Sequence, residues 1–208
     1  MWNNGIYQPG KQACHFLTLN TVEGLDIFIR PVYKQVIVHT LNHFIDSKGL
    51  LVFCWCLMTN HLHLLVQAQD GYLMDQIAQD YKSFTTQKIL AAIETEPETR
   101  RRWLLQRFEA FEDRPGKPRH YHIWQNRSSR SVIELDRPSD LVEYYEYIHE
   151  NPVRERFVDQ APDFLYSSAR DYAGFKGLVN ITKLPFIEHL LDSSESLSGN
   201  FPVKQIRN

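Results

Sequence analysis

The stretch LLVFCWCLMTNHLHLLVQ, Leu50 to Gln67, decides the fold. Its two apolar runs, Leu50–Leu57 and His61–Gln67, are rich in residues that suit a pleated, half-buried surface, and only Met58, Thr59 and Asn60 separate them. That spacing predicts a β-hairpin. On a strand, side chains two apart share a face, so His61 and His63 project together while Leu62 turns to the other side. Two imidazoles on one face make half of a metal site.

Outward from the hairpin, Cys14 to Asn20 reads as a strand. Pro31 then stands where a helix begins, and Val36, Ile37, Leu41, Phe44 and Ile45 recur at three- and four-residue spacing up to Gly49. After the hairpin the helical period returns from Leu73 to Ile93, and Glu98 to Phe111 predicts a further helix. His120 to Trp124 and Ser131 to Leu135 predict strands. Pro138, Ser139 and Asp140 announce a helix over Leu141 to Glu150, with Pro152 expected to stop it. This order predicts a ferredoxin-like α+β fold, an antiparallel sheet with helices packed on it. With 208 residues, the expected organisation is one domain over residues 1–158 and a partly helical C-terminal extension over 159–208.

Composition narrows the function classes. A hydrophobic fraction of 43% with 12% aromatics is that of a folded protein, and no apolar run approaches the roughly 20 residues that span a bilayer. The first residues lack the basic and apolar segments of a leader, so the expected setting is cytoplasmic, without a membrane. Three cysteines predict no disulfide framework. A net charge of −2 argues against coating nucleic acid through bulk positive charge. The distribution differs, because Arg100 to Arg130 holds nine basic residues against three acidic ones. Arg100, Arg101, Arg102, Arg119, Arg127 and Arg130 are therefore candidate phosphate contacts, and Trp103, Tyr121 and Trp124 candidate platforms for base stacking. The plainer reading of that cluster is a solvated face.

On the last predicted helix, Tyr147 and Asn151 lie one turn apart and share a face. If this helix packs beside the hairpin, His61, His63 and Asn151 supply three nitrogen and oxygen ligands, a set that suits Mg²⁺ or Mn²⁺. Tyr147 is then a candidate nucleophile, although Tyr144 and Tyr145 are phenols on the same helix.

These residues resemble the single-tyrosine HUH transposases, and within them the REP-associated tyrosine transposases. The resemblance rests on WCLMTNHLHLLVQ (Trp55 to Gln67) and YIHENPVRERFV (Tyr147 to Val158), and more weakly on the Tyr81 to Ile89 helix and SSARDY (Ser167 to Tyr172). It implies metal ligands at His61, His63 and Asn151, where insertion-sequence relatives commonly carry glutamine in the last position. It also implies attack by Tyr147 on a phosphodiester of single-stranded or hairpin DNA, giving a 5′-phosphotyrosine and a free 3′-OH, without ATP. A homodimer is an open option.

Three other readings compete. A hairpin-DNA-binding protein with little turnover would keep the same motifs. Cys54 and Cys56 with His61 and His63 could form a zinc site. A phosphohydrolase with three alternating histidines would need a histidine where Leu65 stands.

Overall fold

The computed structural model describes residues 12–109, 121–125, 132–135 and 138–184. The elements run β1 (Cys14–Asn20), α1 (Pro31–Ser47), β2 (Leu50–Leu57), β3 (His61–Ala68), α2 (Met74–Thr95), α3 (Arg101–Phe108), β4 (Val132–Leu135), α4 (Pro138–Arg154) and α5 (Ala169–Tyr172). The four strands form one antiparallel sheet in the order β2-β3-β1-β4. This is the expected ferredoxin-like arrangement, with α1 and α2 on one face and α4 on the other.

The hairpin is buried on both faces, and an irregularity that the apolar run conceals sets which β2 residues face which side. The β2–β3 register shifts between Val52 and Cys54, so Phe53 is an extra residue. Ahead of the shift, Leu50 and Val52 face α1 and α2; beyond it, Trp55 and Leu57 do so, while Phe53, Cys54 and Cys56 face α4. Strand β3 alternates regularly. Leu62, Leu64 and Val66 join the first core and Leu65 the second, which puts His61 and His63 on the α4 side.

Helix α1 starts with Pro31 in its first turn and ends before Gly49, whose φ is +68°. A Cβ at Gly49 would overlap the Tyr72 ring, so this turn needs glycine for both its conformation and its space. Tyr33, Ile37, Leu41 and Phe44 are fully enclosed on the inner stripe of α1. Burial of each such side chain stabilises the fold by roughly 1.5–3 kcal/mol.

The linker between α2 and α3 is fixed by Glu98, whose side chain is only 2% exposed. Its carboxylate accepts from Tyr33 Oη at 2.9 Å, Arg30 Nη1 at 3.3 Å, and the Arg100 backbone N–H and Nε at 2.9 and 3.3 Å. Burial alone would raise its pKa; the Arg100 amide and the other donors outweigh that and hold it at about 2. Glu98→Ala would leave these donors without their acceptor, and we expect a loss of about 1–3 kcal/mol. Urea unfolding reads it directly, and an unchanged midpoint would mean that the carboxylate is dispensable.

Three expectations need correction. The strand over His120 to Trp124 is absent from its described part: Tyr121 and Trp124 make only isolated bridges, with Glu109 and Thr21. The helix over Glu98 to Phe111 is shorter, Arg101–Phe108, because Glu98 is occupied in the linker. Helix α4 does not stop before Pro152 but contains it and runs to Arg154. Part of the expected C-terminal extension packs on the sheet. Segment 166–182 lies along the free edge of β2, with Leu57 N–H donating to Tyr166 O, Ser168 N–H to Trp55 O and Thr182 N–H to Val52 O, at 2.8–3.0 Å. That segment covers an edge otherwise open to another strand. Residues 185–208 of the expected extension lie outside the described residues.

Candidate active site

The α4 face of the sheet carries a cavity of about 240 Å³ lined by Thr18, Asn20, His61, His63, Tyr147, Asn151, Arg154 and Glu155. All four residues expected at the site are among them. Strand register explains the first half: Thr18 pairs with His63 and Asn20 with His61, so side chains of β1 and β3 open together. The helical period explains the second, since Tyr147 and Asn151 are one turn apart on α4.

Each histidine is oriented by a neighbour at Nδ1. His61 Nδ1 lies 2.7 Å from Asn60 Oδ1, and Asn60 Nδ2 in turn donates to Gly24 O at 3.2 Å. His63 Nδ1 lies 2.9 Å from Thr18 Oγ1. His61 Nε2 is 3.1 Å from Asn151 Nδ2. One tautomer satisfies the His61 set: Nδ1–H donates to Asn60, and the Nε2 lone pair accepts from the Asn151 amide. A half-turn of that amide would present Oδ1 in place of the nitrogen.

The electrostatics favour unprotonated rings. Burial lowers the His61 pKa, and the Glu155 carboxylate opposes it. Burial, then the His61 ring and the Arg154 guanidinium, pushes His63 well below the ordinary imidazole range. Both rings are thus neutral at neutral pH, which metal ligation by imidazole requires. Two imidazole nitrogens and an amide oxygen fit Mg²⁺ or Mn²⁺ in donor type.

Tyr147 sits between His63 and a cation. Its ring meets His63 edge-on with centroids 5.2 Å apart, and Arg154 lies over it at 4.4 Å. Arg154 Nη2 also donates to Tyr147 O at 2.8 Å. Tyr144 instead stacks on Phe16 at 4.2 Å, and Tyr145 packs against His149 and Tyr172. Neither lines the cavity.

Behind the site, buried His149 places Nε2 2.7 Å from Ser168 Oγ, which itself accepts from Trp55 N–H. The contact ties the Tyr147 helix to β2. Burial lowers the His149 pKa to about 3. The unfolded chain therefore binds a proton near pH 6.5 that the folded chain refuses until about pH 3, so stability falls as pH drops through this window. We expect a slope of up to about 1.4 kcal/mol per pH unit from this one group. In His149→Gln, which keeps a polar partner for Ser168 without titrating there, urea midpoints between pH 6.5 and pH 4 should fall less steeply. Equal slopes would mean that His149 does not carry the effect.

The other candidates fare differently. Trp124 is a correction: it is 3% exposed, packs on Phe28 and donates its indole N–H to Thr85, so no ring face is open to a base. Arg100 is bound to Glu98 and Asp26 O, and Arg101 donates to Ile93 O and Glu96 O at the end of α2. Arg102 is exposed. Arg119, Arg127 and Arg130 lie outside the described residues. Tyr81 is buried in the core. Cys54 Sγ turns to Tyr172 Oη and Cys56 Sγ to Met58, and among the described residues no group of three or more His, Cys, Asp or Glu side chains is placed to hold a metal ion, so the zinc reading gains no support. Sequence reasoning missed Thr18, Asn60, Arg154 and Glu155. The signals available for them were adjacency to the histidines across or along the strands, and offsets of seven and eight from Tyr147.

The α+β fold, with helices on both faces of the antiparallel sheet, is shared with known proteins. Residues 25–109 match the family described as "Transposase IS200 like", a segment that contains both histidines and ends before α4. A Haemophilus influenzae protein that carries the name REP-associated tyrosine transposase is 30% identical over 142 residues, 67% of this chain and 65% of the relative. The match thus spans just under two thirds of that relative's length. A solved structure of a REP-associated tyrosine transposase bound to a REP hairpin shares the fold, with a TM-score of 0.54 and 17% identity over 86% of this chain and 90% of that one. The chain resembles the IS200-like transposases, and the REP-associated tyrosine transposases among them. Among the described residues no helix is long and apolar enough to cross a membrane.

Proposed function

We propose that the protein nicks single-stranded DNA and transfers the cut end through a phosphotyrosine at Tyr147, acting in the cytoplasm on hairpin DNA of repetitive-palindrome type. The observation that carries this reading is one cavity in which a phenol, two neutral imidazoles, an amide and a guanidinium converge.

A bound Mg²⁺ or Mn²⁺ would draw charge from the scissile phosphate. His61 and His63 would hold it through Nε2 and Asn151 through Oδ1. Tyr147 Oη forms a bond to phosphorus as the bond from phosphorus to O3′ breaks. The phenolic proton passes to solvent, and the departing oxygen takes up a proton and leaves as a free 3′-OH. Arg154, beside the ring, offsets charge on a non-bridging oxygen. Attack by another 3′-OH reverses these steps, so the phosphodiester energy is conserved. Among the described residues of the basic strip, exposed Arg102 and half-exposed Trp103 are available to contact the strand.

The test is a hairpin oligonucleotide with a single-stranded flank, incubated with the protein and Mn²⁺ and run on a denaturing gel. A protein–DNA band that disappears with EDTA is expected. Tight hairpin binding with no adduct under any metal would favour a binding protein with little turnover.

A further inference from the structure

Glu155 is the first residue past α4, yet its N–H still donates to Asn151 O at 3.0 Å. It therefore continues the stripe of Tyr147 and Asn151 at the same four-residue spacing and lines the same cavity. Its neighbour Arg154 is committed to Tyr147, through the ring and the carbonyl. Among the described residues, no ion pair or hydrogen bond engages the Glu155 side chain. The two adjacent charges are thus divided, with the cation at the nucleophile and the anion toward the histidines.

Among the described residues that line the cavity, Glu155 supplies the one formal negative charge. His61, His63 and Asn151 are neutral, and hard dications bind weakly where no anionic oxygen compensates their charge. Among the described residues no three His, Cys, Asp or Glu side chains cluster closely enough to hold an ion directly. A carboxylate on this wall would act on a metal held by His61, His63 and Asn151 through the metal's bound water.

We propose that Glu155 is an accessory, water-mediated carboxylate of the metal site, which loads the site with a divalent cation before DNA arrives. The proposal rests on the metal-dependent reading above. Its direct readout is Mn²⁺ binding to the DNA-free protein, followed by calorimetry or by loss of the free-ion paramagnetic signal. Glu155→Gln should raise the Kd about 10-fold, as outer-shell partners typically do, and Glu155→Asp should lie between it and the parent. The metal-free melting temperature should stay the same, because the side chain is exposed and unpaired. A Glu155→Gln Kd equal to the parent's, alongside lost binding in a His61→Ala, His63→Ala protein, would overturn the role of Glu155 alone. Absence of Mn²⁺ binding by the parent, or binding undiminished in the double variant, would overturn the metal reading and this inference with it.

Discussion

Tyr147→Phe should abolish the covalent DNA adduct, by at least about 10³-fold in rate, while leaving hairpin affinity and Mn²⁺ affinity within about twofold. The change removes one oxygen and keeps the ring. The edge contact with His63 at 5.2 Å, the contact with Phe16 at 5.8 Å and the Arg154 guanidinium at 4.4 Å all survive it. Stability should change by less than about 0.5 kcal/mol. The neighbouring phenols are informative controls. Tyr144 is held by Phe16 and Tyr145 by His149 and Tyr172, away from the cavity, so Tyr144→Phe and Tyr145→Phe should both still form the adduct. An adduct that persists in Tyr147→Phe would remove this tyrosine as the nucleophile.

The hairpin and α1 were legible because their signals are local: strand formers around a three-residue break, and an apolar stripe after Pro31. The site was legible only in part from local offsets: a two-residue strand offset pairs His61 with His63 and a four-residue helix offset pairs Tyr147 with Asn151, while the choice of Tyr147 over Tyr144 and the joining of the two pairs came from the family resemblance. What escaped was set by tertiary contacts. Pro152 removes one helical hydrogen bond and restricts Asn151, yet both are buried and the chain continues through Glu155 N–H to Asn151 O. The hydrogen bond of Asn151 to His61 holds the helix where local rules would end it. The packing of Trp124 and Arg101 was hidden for a related reason. An aromatic or a charge has the same appearance in a sequence whether it meets solvent or a buried partner such as Thr85 or the carbonyls ending α2. Segment 166–182 docks on β2 through backbone groups, which leave no mark in composition.

Removal of a histidine should act on metal binding first and on DNA cleavage as a consequence. His63→Ala should weaken Mn²⁺ binding by more than about 100-fold, beyond the 10- to 100-fold typical of lost outer-shell partners, and the adduct should disappear at ordinary metal concentrations. His63 is only 3% exposed, so this variant also leaves a cavity and can lose stability for that reason. Thr18→Val separates the two effects. It keeps the volume at β1 while removing the hydroxyl 2.9 Å from His63 Nδ1, so the ring remains packed against Phe16 but loses the partner that fixes its orientation. Mn²⁺ affinity should fall about 10-fold or more, and Thr18→Ser should restore it. Raising the Mn²⁺ concentration should recover adduct formation in Thr18→Val, because its ligands are intact, but not in Tyr147→Phe, whose nucleophile is gone. If Thr18→Val binds Mn²⁺ as the parent does, the Thr18 contact does not orient a metal ligand. If His63→Ala also does so while folded, the cavity is not the metal site.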